Sequence, residues 1–491
     1  MNEHLPALAI LLPLLSAPFC ILVRRRNVAL ALIIAVCWAT FAMTAQLLYR
    51  VRVDGPVTYE LGGWNAPYGI EYHIDLLSAF VMTFVSGMAA IVASYAPRSI
   101  ALELDTRQVY LFCTVFLLCM AGLMGIAATG DLFNLFVFIE ISSLSTYAMI
   151  SLGRRRRALM ATFQYLIVGT IGATFILIGI GLLYIVTGTL NMGDLAHRLQ
   201  ALDTNRTTLV AFGFLTVGVA LKMALFPLHF WLPDAYANAP SAVTSFIAST
   251  STKVSVYVLI RLIYTIFGTG FAYRAEALDA ILLPLALLGG LVASLIACYQ
   301  TDLKRLLAFS SVAQVSYMAL GISLGNVAGL SGAIVHLFNH AITKGAMFLA
   351  VGAIVFRVRS SRFVDLRGIG RRMPVTSACM VIGGLSLIGV PGTAGFVSKW
   401  FLVQGAIDRD LWPAAITLLG SSLLAVVYVW KFVETAYLGR PEEETLRDEA
   451  PGPLLVPVLI VTAAILWFGF DSDWSAGIAE SAARALLEQG S

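Results

Sequence analysis

The residues best able to do chemistry in this chain are ionisable groups placed inside long apolar stretches. Five of the six lysines, Lys222, Lys253, Lys344, Lys399 and Lys431, fall within such stretches, and Lys304 stands at the entrance to one. The loops use arginine almost exclusively. A charged residue in mid-membrane costs roughly 2.5–3.5 kcal/mol on insertion scales, so each buried lysine is a functional candidate. Lysine gives up its proton readily once desolvated, whereas a guanidinium keeps its charge, so lysine suits proton transfer. The acidic member of the set is Glu140, in DLFNLFVFIEISSLSTYAMISLG. Nothing near it in sequence can neutralise it, so its partner must come from another helix, and Lys222 is the expected one. A carboxylate beside a lysine raises the lysine's proton affinity, and withdrawing it lowers that affinity. The pair can therefore act as a proton-loading switch, or as a plain ion pair holding two helices together.

His336, His340 and Lys344 form HLFNHAITK. Spacing of four places them on one helix face. Histidine titrates near neutral pH and suits a relay between buried lysines. Two other readings remain: packing histidines bonded to water or carbonyls, and a two-histidine metal site, which the absence of a nearby Glu or Cys disfavours. Lys431 and Glu434 are three apart and either pair with each other or take part in transport. Arg261 is expected to snorkel or pair structurally. Asp75, Asp131 and Asp234 are expected near span ends, and His229 in a structural role.

These groups need a membrane-spanning scaffold. Apolar residues make up 59% of the chain and charged residues 12%, with a mean hydropathy of +0.85. A soluble domain carries about 25% charged residues. Stretches of about 20 apolar residues cross a bilayer. The pattern predicts fourteen spans, at 4–23, 28–49, 75–96, 108–128, 131–151, 161–187, 208–230, 241–268, 278–299, 303–323, 331–356, 374–405, 413–438 and 453–470. The first is expected to stay in place as a span and not as a cleaved signal. Pro391-Gly392 predicts a break in the twelfth. The stretch from Phe226-Pro227 to Pro240 is expected to be non-helical or re-entrant, and 474–490 to form at most a short amphipathic helix. Loops after odd-numbered spans hold nineteen basic residues, and the other loops and tail hold seven. By the positive-inside rule both termini face outward.

Lys222 leads into one interrupted span and Lys399 lies in another, 177 residues on. Interrupted segments in two halves are the pattern of inverted-repeat transporters. The six cysteines lie in apolar segments without metal or redox spacing and are read as packing residues. No Walker A loop, cysteine cluster, haem-ligand pattern or dinucleotide fingerprint is present, so no cofactor is expected. The driving force must be an ion gradient or a partner protein.

Four segments, LKMALFPLHFWLPDAYANAPSAVTSFIASTSTKVSVYVLIR, TDLKRLLAFSSVAQVSYMALG, HLFNHAITKGAMFLAVG and GVPGTAGFVSKW, together resemble the antiporter-like subunits shared by respiratory complex I, membrane-bound hydrogenases and Mrp-type multisubunit Na+/H+ antiporters. The resemblance runs from about residue 70 to 435 and is greatest to the D-type member of the Mrp antiporters. Lys399 stands where the complex I M-type subunit has glutamate, and the chain is expected to have neither the long lateral helix of the L-type subunit nor the C-terminal extension of the A-type Mrp member. The resemblance implies an all-α membrane protein of fourteen transmembrane helices with two inverted five-helix repeats, each containing a broken helix. The expected divisions are 1–107 (first three helices), 108–268 (first repeat), 269–438 (second repeat) and 439–491 (last helix and tail). It implies a proton path through Glu140, Lys222, Lys253 and Lys399, with His336, His340 and Lys344 on the central hydrophilic axis. It further implies a transporter subunit and not an enzyme, in the cell membrane. The implied partners are the other membrane subunits of a hetero-oligomeric antiporter, the lipid bilayer, H+ and Na+, and no nucleic acid. The second reading is the equivalent subunit of a hydrogenase, formate-oxidising or complex I-like redox complex, and a third is a scaffold that transports nothing.

Overall fold

Long apolar helices dominate the computed structural model, which describes residues 3–154, 156–202, 205–274, 281–439 and 447–489. Arg155 and Arg440, two of the basic loop residues, and 278–280 of the ninth expected span lie outside the described residues. Among the described residues, twelve helices are long and apolar enough to cross a membrane. Two shorter apolar helices, Leu283–Tyr299 and Pro374–Ile388, stand where the ninth and twelfth spans were expected. The outer faces of the bundle expose residues such as Leu22, Ile185, Leu423 and Trp467, as a surface facing lipid should.

The helix Val327–Val358 runs through the middle. Its residues from Gly329 to Val355 are all buried, including His336, Asn339, His340, Thr343 and Lys344. Small residues let its neighbours come close. A Cβ at Gly332 would meet the backbone nitrogen of Leu402 at 2.9 Å, and one at Gly345 would overlap Met88. Such residues let helix backbones approach in a medium that offers no hydrophobic drive between helices.

Loop contacts sort the connections into two ends. At one end a hairpin of strands Val57–Glu60 and Glu71–Ile74, which the hydropathy pattern does not reveal, touches three other segments. Gly130 N–H donates to Glu71 O at 3.0 Å, Asn191 Nδ2 donates to Glu71 Oε1 at 2.6 Å, and His4 lies 3.1 Å from the Tyr59 hydroxyl. At the other end the Ser241 hydroxyl donates to Glu103 at 2.8 Å, Leu303 N–H donates to Ser361 O at 2.8 Å, and Arg372 pairs with Asp448 at 2.9 Å. The second end is the one rich in arginine.

One backbone corner occurs twice, once at each end. Asp131 bridges to Asn191, and Asp302 bridges to Arg362, every member displaced by 171 residues (131 to 302, 191 to 362). The flanking bonds repeat with the same displacement. Leu132 N–H to Leu190 O (2.9 Å) matches Leu303 N–H to Ser361 O (2.8 Å), and Met192 N–H to Gly130 O (2.8 Å) matches Phe363 N–H to Thr301 O (3.1 Å). Asp131 and Asp302 each cap the helix that follows, accepting from the backbone of Asn134 and Arg305.

Three helices are interrupted near lysines. Arg206–Met223 ends at Ala224, whose φ of 59° is left-handed. In the stretch that follows, expected to be non-helical or re-entrant, Trp231–Asn238 is a short helix, so the non-helical alternative does not hold there. The expected break near Pro391 separates Pro374–Ile388 from Ala394–Ile407, with Gly389 and Gly392 at φ of 88° and 83°. A break not foreseen divides the 241–268 span at Thr250, between Ser241–Ser249 and Ser251–Ile260. The tail forms an amphipathic helix over the stretch expected for it, Asp473–Gln489, with Ile478, Ala482 and Leu486 buried.

Candidate functional site

Glu140 and Ser143 lie three apart on the helix Leu132–Ser151, and so share a face. Lys222 reaches them from the penultimate position of Arg206–Met223. Its Nζ donates to Glu140 Oε1 at 3.2 Å and to Ser143 Oγ at 2.9 Å. The expected pair is therefore formed. Lys222 is enclosed, but the Glu140 side chain keeps 26% of its surface. It sits at the edge of an exposed apolar stripe, Phe133, Val137 and Leu144.

Behind Lys222 is a cavity of about 30 Å³ lined in part by the hydroxyl residues Ser142, Ser143, Thr146, Ser251 and Ser255 and for the rest by apolar side chains such as Leu123, Ile139 and Val254. That is room for about one water, and the buried Ser251 hydroxyl has no protein partner. The far wall, with Ser251, Val254 and Ser255, belongs to the helix that starts after the turn at Thr250. Lys253 of that helix is fully buried but does not line the cavity, and its Nζ donates to Ala248 O and to Thr252 Oγ1 (3.3 Å). The last carbonyls of a helix have no partner within it, and the break at Thr250 leaves such a carbonyl for Lys253.

On the central helix the His336 and His340 rings stack with centroids 5.7 Å apart. His336 Nδ1 lies 2.7 Å from Ser398 Oγ, while its Nε2, both His340 nitrogens, Asn339 Oδ1 and Gln314 Nε2 are buried without protein partners. Buried polar groups of this kind bind ordered water. Lys344 donates to Leu307 O at 2.8 Å and to Ser310 Oγ. No group of three His, Cys, Asp or Glu forms a metal-holding cluster among the described residues.

Lys399 lies past the break, on Ala394–Ile407, and turns back to it. Its Nζ donates to Leu387 O (2.7 Å), Ile388 O (2.9 Å) and Ser422 Oγ (2.8 Å), 5.3 Å from the centre of the Tyr317 ring. Tyr317 in turn stands 6.1 Å from His336, ring to ring. The negative end of the half-helix Pro374–Ile388 thus takes the place of a carboxylate. Lys222 precedes its break and Lys399 follows its own, so the two are not equivalent positions.

One pattern was missed in the sequence. Every lysine except Lys222 donates to backbone carbonyls, including Lys304 to Ala239 O (3.2 Å) and Lys431 to Cys298 O (3.1 Å) and Gln300 O (2.7 Å). Lys431 therefore caps the end of Leu283–Tyr299 and is directed away from the pairing with Glu434. Arg261 pairs with Asp75 and also donates to Tyr257 and Ser78 (each 2.9 Å), a buried strut near a span end. His229 packs between Phe226 and Phe309. The available signal for the pattern was the closeness of Lys253 and Lys399 to helix breaks, which is legible only when the break at Thr250 is known.

Comparison with known proteins agrees over nearly the whole length. A family described as NADH:quinone oxidoreductase/Mrp antiporter, transmembrane, matches residues 129–425. The chain is 41% identical to the N-type subunit of the NADH-quinone oxidoreductase of Desulforudis audaxviator, over 96% of this chain and 97% of that protein. It is 31% identical to the D-type subunit of the Na(+)/H(+) antiporter of Bacillus subtilis, over 98% and 96%. Among solved structures, a chain of the Mrp complex from Dietzia sp. superposes with a TM-score of 0.90 at 26% identity, covering 99% of this chain and 98% of that one.

Proposed function

The chain belongs to the NADH:quinone oxidoreductase/Mrp antiporter transmembrane family, and from that premise we propose that it carries protons as one subunit of a multisubunit Na+/H+ antiporter. The observation that supports this best is the Lys222–Glu140 contact at 3.2 Å beside a cavity partly lined by hydroxyls. In this reading Lys222 holds a proton while Glu140 is near. When Glu140 turns away, the proton passes through hydroxyls and water to Lys253. The two histidines and Lys344 relay it along the middle of the bundle. Lys399, held on helix-end carbonyls, is the terminal site. Residues 108–268 and 269–438 act as the two inverted halves, and the corner repeated 171 residues on, at the opposite end, supports that division. Both termini face out of the cell membrane, with the arginine-rich end in the cytoplasm.

Partners follow from Glu140. A carboxylate open over a quarter of its surface, beside an apolar stripe in mid-span, is costly against lipid, and a second membrane subunit covering that face removes the cost. A scaffold role is disfavoured, because well-packed apolar residues commonly match or exceed buried charges in stability.

A second reading has its own support in the 41% identity to an NADH-quinone oxidoreductase subunit: the same proton path serving a redox-driven complex. One experiment separates them. The complete assembly in liposomes should acidify or alkalinise its lumen in response to a Na+ gradient alone, and Glu140→Ala should abolish this at normal assembly levels. Proton movement that ignores Na+ and requires electron transfer to a quinone selects the second reading.

A further inference from the structure

A groove of about 710 Å³ is lined by the helices Arg26–Asp54 and Leu76–Glu103 and by the last span, Gly452–Phe470. Phe338 and Ile342 of the central helix line it too, 7% and 5% exposed, and so lie deep in it. Ligand pockets commonly measure about 300–1,000 Å³. One wall runs from Phe41 to Arg52 and the facing one from Phe80 to Ile91, eleven residues each. At 1.5 Å per residue each wall is about 16 Å long, half of a hydrocarbon core of about 30 Å. The groove is therefore one leaflet deep, at the hairpin end.

Its interior offers nothing polar. Five rings in its wall, Phe80, Phe84, Phe338, Phe468 and Trp474, stand 4.8–6.2 Å apart, centre to centre. The Thr83 hydroxyl is spent on Thr44 O (3.1 Å) and Ala79 O (2.7 Å). The charged group is at one end. Arg52 lies in the last turn of its helix, exposed, five residues before the hairpin begins at Val57. Among the described residues no carboxylate pairs with Arg52. Tyr49, 70% exposed, lines the groove one turn away, as an aromatic at the membrane interface does. The shape is a long apolar slot with a cationic donor at its mouth. It complements a molecule with a long hydrocarbon chain and an anionic, acceptor-rich head.

We propose that the groove is a binding site for an anionic phospholipid, with one acyl chain in the slot and the headgroup phosphate on Arg52. The chain then rests on the back of the central helix. Phe338 and Ile342 are each two residues from a histidine of that helix, about 200° around it, so they face away from His336 and His340. A lipid chain in the slot fills the space behind the two histidines and holds their helix against the side that carries Ser398 and Lys399.

Photocrosslinking of the complete assembly in liposomes tests it, with a phosphatidylglycerol that carries a diazirine on its acyl chain. The central helix is buried from Gly329 to Val355, so bulk lipid does not reach it, and label on the peptide with Phe338 and Ile342 reports the slot. That peptide should be labelled in the unaltered protein. Arg52→Leu should lower the labelling roughly tenfold, the loss expected for one charge-assisted contact, and Arg52→Lys should restore much of it. Ala45→Trp, which fills the slot, should remove the label at normal assembly levels. A phosphatidylcholine with the same chain should label far less. An unlabelled central helix in the unaltered protein overturns the site and leaves the groove to a partner helix. Equal labelling by the phosphatidylcholine, or in Arg52→Leu at matched assembly, overturns the anionic head and selects a neutral lipid. None of these results depends on proton transport, so their failure leaves the proton-carrying reading untouched.

Discussion

Lysine placement was the most legible feature at the scale of single residues, because burial cost alone marks Lys222, Lys253, Lys344, Lys399 and Lys431. What each lysine touches was not legible. Glu140 could be paired with Lys222 on charge alone, but the carbonyl partners of the others depend on where helices end. That distinction sorts Lys431. Its ammonium lies on Cys298 O and Gln300 O beneath the Phe363 ring, where a cation at a helix end contributes roughly 0.3–1 kcal/mol. Lys431→Ala should therefore lower stability by about 1 kcal/mol and leave transport by the assembled complex unchanged. Thermal melting and vesicle transport, measured on the same preparation, check both halves. Transport lost at normal stability would move Lys431 into the path.

Helix breaks matter most at the scale of elements. The break at 389–393 could be read from Pro391-Gly392, because proline and a left-handed glycine cannot continue a helix. The break at Thr250 could not, since Ser249-Thr250-Ser251 contains neither. Gly389 links break and lysine. Its φ is 88°, and a Cβ there would meet Lys399 Cδ at 2.8 Å. Gly389→Ala adds a left-handed penalty of roughly 1–2 kcal/mol and pushes Lys399 off the Leu387 and Ile388 carbonyls. Transport should fall steeply while the amount of assembled complex falls little. Equal losses of both would mean that the glycine serves folding only.

The whole molecule was legible in its class and in the run of its spans, since hydropathy and loop charge are long-range averages. The hairpin at 57–74 and the repeated corner were not, because both are made by bonds between distant loops. Those bonds define two ends, and side-specific labelling reads them directly. A cysteine at Tyr68, 94% exposed on the hairpin end, should react with an impermeant reagent on intact cells. One at Val364, exposed on the arginine-rich end, should react only after the membrane is opened. Labelling of both from one side would contradict a two-ended bundle, and the reverse pattern would invert its orientation. Expressed without its partners, the chain should show little antiport, because Glu140 then faces lipid.

In the proposed path Lys222 carries a proton and does more than neutralise Glu140. Arginine at this position preserves the charge and an ion pair with Glu140, but holds its proton at physiological pH. The measurement is cation-driven proton flux by the complete assembly in liposomes, with Lys222→Arg compared against Lys222→Ala and the unaltered protein at matched assembly levels. Lys222→Arg should be as inactive as Lys222→Ala. Flux by Lys222→Arg equal to that of the unaltered protein would contradict it, and would leave Lys222 and Glu140 as a structural ion pair.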